Sequence, residues 1–163
     1  MSVVILGDTH MPKGTRRLPE PCVEAIRGSE MVIHTGDFTR LPVLEEIAAI
    51  GPPLHAVHGN VDEPQVAERL PLTMTIEVGA VRIGLIHDAG ARQGRLNRMR
   101  RAFPQVDAVL FGHSHLPLHE QADDGFQIFN PGSPTERRRA PRHSFGIAEV
   151  GADGAIDFEH VWL

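Results

Sequence analysis

Along the first half of the chain, short apolar runs alternate with stretches whose apolar residues recur at helical spacing. Val3 to Leu6 and Met31 to Ile33 are unbroken apolar runs, the pattern of strands buried on both faces, and Leu54 to Val57 reads as a third. Between them the spacing predicts a helix from about Glu20 to Ile26 and another within Thr39 to Ile50. In the second, Val43, Leu44, Ile47 and Ala48 share one face, Glu45 and Glu46 point away, and Gly51-Pro52-Pro53 ends the segment. From Leu72 the period changes to two. Leu72, Met74, Ile76 and Val78 alternate with Thr73, Thr75 and Glu77, and Gly79-Ala80 turns the chain into Val81, Ile83 and Leu85, a hairpin with one buried face. An arginine-rich helix from about Arg92 to Phe103 follows, with Leu96, Met99 and Phe103 toward the core, and then a strand from Ala108 to Phe111. Leu116 to Gln121 and Phe126 to Phe129 flank a turn at Asp123-Asp124-Gly125, and Ser144 to Val150 pairs with Ala155 to Leu163 across Asp153-Gly154. Two mixed sheets packed face to face with helices outside, an α/β (α+β) arrangement, would bury all of these runs.

Length and composition narrow the setting. The 163 residues suffice for one domain with a full core, so residues 1–163 are expected to form a single unit. Apolar residues make up 41%, yet no stretch of 18 is uninterrupted and Met1-Ser2-Val3 does not begin a signal peptide. A cytoplasmic protein with no membrane association is expected. Cys22 is the lone cysteine, with no disulfide or zinc-thiolate partner, which agrees with a reducing compartment. The net charge of −5 argues against nucleic acid as a partner, and the arginines of Arg92 to Phe103 read as a solvated face. A homo-oligomer is compatible with the sequence.

The chemistry lies in seven residues from five separated stretches: Asp8, His10, Asp37, Asn60, His87, His113 and His115. A single Asp-x-His, Gly-Asp or His-x-His is more often a turn, a helix cap or a surface pair than a ligand set. Here nearly all of them directly follow a strand-like run. In an open α/β sheet the loops leaving the carboxyl ends of strands gather on one edge, so these groups can converge there. Asp8 and His10 lie two apart at a strand end and can leave on the same side, and His113 and His115 repeat the spacing. Imidazoles with carboxylates and no thiolate suit Mn, Fe, Ni, Co or Zn better than Ca or Mg, and the set points to a two-metal centre.

The ordered motifs Gly7-Asp8-Thr9-His10, Gly36-Asp37, Gly59-Asn60-Val61-Asp62, His87 and Gly112-His113-Ser114-His115, with Asn130-Pro131-Gly132-Ser133-Pro134 beyond, resemble the calcineurin-like metallophosphoesterase superfamily. The likeness is to its small single-domain prokaryotic phosphodiesterases. The resemblance implies a four-layer α-β-β-α sandwich, two divalent transition metal ions and hydrolysis of a small phosphoester. It also implies that Asp37 bridges the metals, with Asp8, His10 and His115 at one and Asn60, His87 and His113 at the other. Two such ions acidify a bridging water and polarise the phosphoryl oxygens. Asn60 and Asp37 are then the catalytic pair, with Asn60 able to hold both a metal and a phosphoryl oxygen.

Other positions qualify this expectation. Many superfamily members carry a proton-donating histidine after the motif asparagine, but this chain has Val61, as the small phosphodiesterase branch tends to. Diesters and good leaving groups should therefore react better than alkyl monoesters, unless His34, His58 or water supplies the proton. His34, His58 and Arg137, the last from the run Arg137-Arg138-Arg139, are candidate substrate contacts, although a hydrogen-bonded histidine and a solvated charge run are the commoner readings. Asp62 is expected to orient a ligand or the main chain rather than act as a base. Asp88 stands where the family usually has glycine. A phosphomonoesterase or nucleotide phosphatase, and a non-catalytic scaffold like the retromer subunit that resembles this family, are the alternatives; a scaffold would be free to lose ligands that are all present here.

Overall fold

A computed structural model describes residues 1–163. The chain forms β1 (Ser2–Leu6), α1 (Glu20–Gly28), β2 (Met31–His34), α2 (Leu41–Ala48), β3 (Leu54–Ala56) and α3 (Pro64–Arg69). It continues through β4 (Thr73–Val78), β5 (Val81–Ile86), α4 (Arg95–Ala102), β6 (Ala108–Leu110), β7 (Leu118–Gln121), β8 (Gln127–Asn130), β9 (Ser144–Val150) and β10 (Ile156–Trp162). Two five-stranded sheets result, in the orders β10-β9-β1-β2-β3 and β4-β5-β6-β8-β7. In the first sheet β1-β2-β3 are parallel out to the β3 edge, with antiparallel β9 and β10 on the other side; in the second, parallel β5-β6-β8 are flanked by antiparallel β4 and β7.

Three apolar clusters account for four layers. Val3, Ile5, Ile33 and Ala148 of the first sheet meet Ile76, Val81, Ile83, Leu85, Leu110 and Phe129 of the second, closing the sheets face to face. On the outer side of the first sheet, Val4, Leu6 and Val32 pack against Cys22 and Ile26 of α1, Val43, Leu44 and Ile47 of α2 and Val66 of α3. On the outer side of the second, Val109 and Ile128 pack against Met99 of α4 and Phe103. Burial on both faces explains why the central strands are unbroken apolar runs.

The differences from the sequence expectation have local causes. The predicted helix within Thr39 to Ile50 begins at Leu41 because Thr39, at φ 90, has a left-handed backbone. The helix predicted from Arg92 begins at Arg95, behind Gly94 at φ 69. The short α3 went unpredicted: Val66 is its one buried residue, too little to create a period. Leu72 is 63% exposed, so the buried alternation of the hairpin starts at Met74.

The loops after β1, β2, β3, β5 and β6 carry all seven candidate ligands, and cross-links tie these loops together. Asp8 N–H donates to Gly36 O (3.0 Å), His10 N–H to Asp37 O (3.0 Å) and Gly112 N–H to His87 O (2.9 Å).

Candidate metal centre

Five of the seven candidate ligands, Asp8, His10, Asp37, His113 and His115, have left-handed backbones, with φ of 52, 43, 62, 66 and 59. Asp and His visit this region more readily than most residues, but each such turn still costs about 1 kcal/mol or more. The turns are packed so tightly that only glycine fits between them. A Cβ on Gly59 would lie 2.0 Å from Asp37 Oδ1, and one on Gly112 would lie 2.8 Å from Asp8 Oδ2.

The side chains converge in two overlapping groups. Asp8, His10 and His115 place one donor atom each within 4.8 Å of one another, and so do Asp8, Asp37 and His87. His115 Nε2 is 3.4 Å from Asp8 Oδ1, and His10 Nε2 is 3.8 Å from the same oxygen. Asp37 Oδ2 faces both groups, 3.4 Å from His10 Nε2 and 3.3 Å from His87 Nε2. Asn60 Oδ1 completes the second group at 3.0 Å from His87 Nε2 and 3.0 Å from His113 Nδ1. Asp8, Asp37, His87 and His115 are buried, whereas Asn60 is exposed and the His113 side chain is 43% exposed, so the centre opens on the Asn60 and His113 side.

The hydrogen bonds fix which ring nitrogens face inward. His87 Nδ1 lies 2.8 Å from Thr35 O, and His115 Nδ1 is bonded to Glu136 O. A carbonyl only accepts, so both Nδ1 atoms donate, and each Nε2 is turned toward a carboxylate, as a lone pair when the ring is neutral. With the rings neutral, acceptors face acceptors. Asp8 Oδ2, His10 Nε2 and His115 Nε2 are buried without any hydrogen-bond partner. A cation resolves this conflict, and the donor set, imidazole nitrogens with carboxylate and amide oxygens, fits a divalent transition metal.

The ionisation of the protein groups reflects the same crowding. Burial lowers the His10 pKa, but the Asp37 and Asp8 carboxylates outweigh it and raise it to about 9. Burial also opposes charge on His87, yet Asp37 and Asp8 carry its pKa upward. His115 goes the other way, down, because burial dominates. Burial disfavours the Asp37 carboxylate too, but His10, His87 and the Val61 N–H hold it far below the usual carboxylate range.

Asp62 binds main chain, as expected. Its Oδ2 accepts from Asp37 N (3.0 Å) and Gly59 N (2.7 Å), and its Oδ1 accepts from Thr39 N (2.6 Å). His34 is a correction. It is fully buried, stacked on Phe38 with ring centroids 3.6 Å apart, and both ring nitrogens are engaged, Nδ1 by Gly36 N–H (3.1 Å) and Nε2 by Thr9 Oγ1 (3.2 Å). A sealed ring cannot touch substrate. Arg137 is exposed and spends one N–H on Ala140 O of its own loop (2.8 Å). Arg138 points to the centre instead, with Nη1 3.3 Å from His113 O. His58 is half-buried, with Nδ1 beside Gly59 O (3.2 Å). Asp88 sits at the rim, its Oδ2 4.0 Å from His113 Nε2 and its Oδ1 accepting from Gly90 N (2.7 Å). Sequence reasoning missed Thr35, Glu136 and Arg16. The first two hold rings through carbonyl oxygens, which every residue type offers, so no signal marked them; Arg138 lies in the arginine run that the sequence did single out.

Comparison with known proteins agrees with this geometry. The sequence model of the calcineurin-like phosphoesterase superfamily domain matches residues 1–153. A probable metallophosphoesterase of Methanothermobacter thermautotrophicus is 31% identical over 140 residues, 85% of this chain and 80% of that protein. A phosphodiesterase of Methanocaldococcus jannaschii is 27% identical over 149 residues, 81% of this chain and 83% of that protein. Among solved structures, Vps29 of Entamoeba histolytica in complex with zinc superposes with a TM-score of 0.77 at 25% identity, covering 99% of each chain. With ligand loops at the strand ends of a two-sheet sandwich and a superfamily match over nearly its whole length, this chain belongs to the calcineurin-like phosphoesterase superfamily.

Proposed function

We propose that the protein is a dinuclear metal-dependent phosphodiesterase acting on a small phosphoester. One observation carries this reading: buried Asp8 Oδ2, His10 Nε2 and His115 Nε2 have no partner, although buried polar atoms are nearly always paired. Asp8, His10 and His115 would hold one divalent ion, Asn60, His87 and His113 the other, and Asp37 both. The donor chemistry suits Mn, Ni, Fe, Co or Zn. When bound, such a pair supplies Lewis acidity that activates water and polarises a phosphoryl oxygen.

The chain's own residues set the direction of the chemistry. Asn60 lies at the open side, where its amide can reach a phosphoryl oxygen as well as the centre. Asp37 keeps its negative charge between the two groups because His10, His87 and the Val61 N–H outweigh the effect of its burial. The position after Asn60 holds Val61, 42% exposed and without a transferable proton. With His34 sealed in the core, His58 and water remain as sources of a proton for the leaving group. That favours diesters and acidic leaving groups over alkyl monoesters. The reading places the protein in the cytoplasm, where the buried thiol of Cys22 stays reduced.

The likeness to Vps29 favours a second reading, a protein-binding module on the same fold. A panel of metals against substrates separates them. Chelator-treated protein is reloaded with Mn, Ni, Co or Zn and assayed on aryl diesters, aryl monoesters and cyclic nucleotides. Restored hydrolysis of diesters is expected. Ion uptake without hydrolysis of any ester supports the binding module and overturns the enzyme.

A further inference from the structure

The Asp8, His10 and His115 half of the centre is gripped by side chains and main chain from residues far away in sequence. Ser133 Oγ donates to Asp8 O (2.7 Å), and Thr135 Oγ1 donates to Thr9 O (2.5 Å). Glu136 N donates to Ser133 Oγ (2.8 Å), and Glu136 O takes the Nδ1–H that orients the His115 ring. The Glu136 carboxylate in turn binds Arg16 Nη1 (2.5 Å), which also donates to His10 O (3.2 Å). Asp8, His10 and His115 are thus all reached from Ser133, Thr135, Glu136 and Arg16. None of these bonds touches Asp37, Asn60 or His87: Asp62 holds the main chain of Asp37 and Gly59, Thr35 O holds the His87 ring, and the halves meet through His10 N–H to Asp37 O (3.0 Å) and His113 N–H to Asp8 Oδ1 (3.2 Å). Arg138 reaches His113 O (3.3 Å), and its Nε lies 3.9 Å from Glu136 Oε1, so the Glu136 carboxylate has a weaker contact toward the other half.

We propose that Arg16 and Glu136 are positioning residues chiefly for the Asp8, His10 and His115 half, so that its metal position is the first to weaken when they are removed. The inference rests on the two-ion reading above. The ion pair is partly buried, with side chains 20% and 21% exposed, and neither residue is among the seven candidate ligands. Outer partners of this kind typically change metal affinity by about 10- to 100-fold.

The test is a zinc titration of chelator-treated full-length protein, followed by calorimetry and by long-range imidazole nitrogen NMR spectra. In the unaltered chain, two equivalents should bind and shift the rings of His10 and His115 as well as those of His87 and His113. In Arg16→Ala and Glu136→Ala, one equivalent should weaken by about tenfold or more, and at one equivalent of zinc only His87 and His113 should shift. Glu136→Gln keeps an acceptor for Arg16 and should restore most of the loss, a rescue that general loosening of the fold would not give. If the unaltered chain takes up one equivalent, the two-ion reading itself falls. Two equivalents in the unaltered chain, with both weakened equally or neither weakened in the variants, overturn only the positioning role.

Discussion

Replacing Asp62 with alanine should damage the centre without removing a single ligand. The Asp62 carboxylate accepts three main-chain N–H groups, those of Asp37, Thr39 and Gly59, at 3.0, 2.6 and 2.7 Å. Two of these residues, Asp37 at φ 62 and Thr39 at φ 90, have backbones that Asp tolerates and Thr resists. A hydrogen bond to a charged group contributes about 1.5–3 kcal/mol, so three give a gross figure of about 5–9 kcal/mol. Asp62 is half-buried, and water can reach part of what is freed, which reduces the expected loss for Asp62→Ala to about 2–4 kcal/mol. Asp62→Asn keeps one acceptor oxygen and should lose about half as much. Because Asp37 faces both groups, zinc affinity should fall at both positions, by about 10- to 100-fold. Urea denaturation of chelator-treated protein reads the first quantity, and competition with a coloured chelator reads the second. Stability within about 0.5 kcal/mol of the parent, together with unchanged zinc affinity, would refute the main-chain role. If instead Asp62→Asn abolished hydrolysis while sparing stability and metal uptake, Asp62 would be a base.

Three further predictions bear on separate parts of the argument. Gly59→Ala places a Cβ 2.0 Å from Asp37 Oδ1, so it should cost about 1–3 kcal/mol and lower metal content by elemental analysis; Gly28→Ala, with nothing within 4 Å, should leave both intact, and equal behaviour of the two refutes the packing account. His34 is buried and its pKa is lowered from 6.5 to about 3, so the unfolded chain takes up a proton that the folded chain refuses. Stability from this group is complete above pH 6.5 and drains at about 1.4 kcal/mol per pH unit as the pH falls toward 3, so urea midpoints of metal-free protein should drop more steeply from pH 6.5 to 4.5 than those of His34→Gln. Parallel profiles would remove His34 as the cause. Val61→His puts an imidazole on an exposed side chain whose N–H stays bonded to Asp37 Oδ1 (3.0 Å), and the rate on an aryl monoester relative to the diester should rise by about tenfold or more. No rise with metal content intact would mean that proton supply does not limit the monoester reaction.

The layers of this fold are readable in the chain because its central strands are covered on both faces. Val3 to Leu6 and Ala108 to Leu110 carry no polar residue, and that continuity separates them from the alternating hairpin of β4 and β5. The ligands are readable for a related reason: the i, i+2 pairs Asp8/His10 and His113/His115 each follow a strand that tells the reader where the turn must be. What could not be read is the support. Arg16 and Glu136 lie 120 residues apart and act on the centre through carbonyl oxygens, which leave no trace in residue type. His34 misled for the opposite cause, since a histidine three residues before Asp37 can pass for a substrate contact until the Phe38 ring is found stacked on it.

The strain and the orphaned atoms together predict that stability depends on an ion. Five ligands with left-handed backbones cost about 1 kcal/mol or more each, and three buried atoms without partners cost about 1–3 kcal/mol each. Set against the roughly 5–15 kcal/mol by which a domain is stable, such terms are too large to persist unless something repays them. A cation bound there would do so by giving Asp8 Oδ2, His10 Nε2 and His115 Nε2 a common partner. A ligand at a thousand times its dissociation constant adds about 4 kcal/mol per site, so two sites would add about 8 kcal/mol. For a domain of this size, a shift of about 2–4 °C per kcal/mol corresponds to a melting temperature more than 15 °C higher in the loaded protein than in the chelated one. Calorimetric scans over a zinc or manganese series would show it as a rise that grows with concentration. A melting temperature indifferent to both ions would mean that the converging acceptors hold something other than a metal, and the phosphodiesterase reading would lose its foundation.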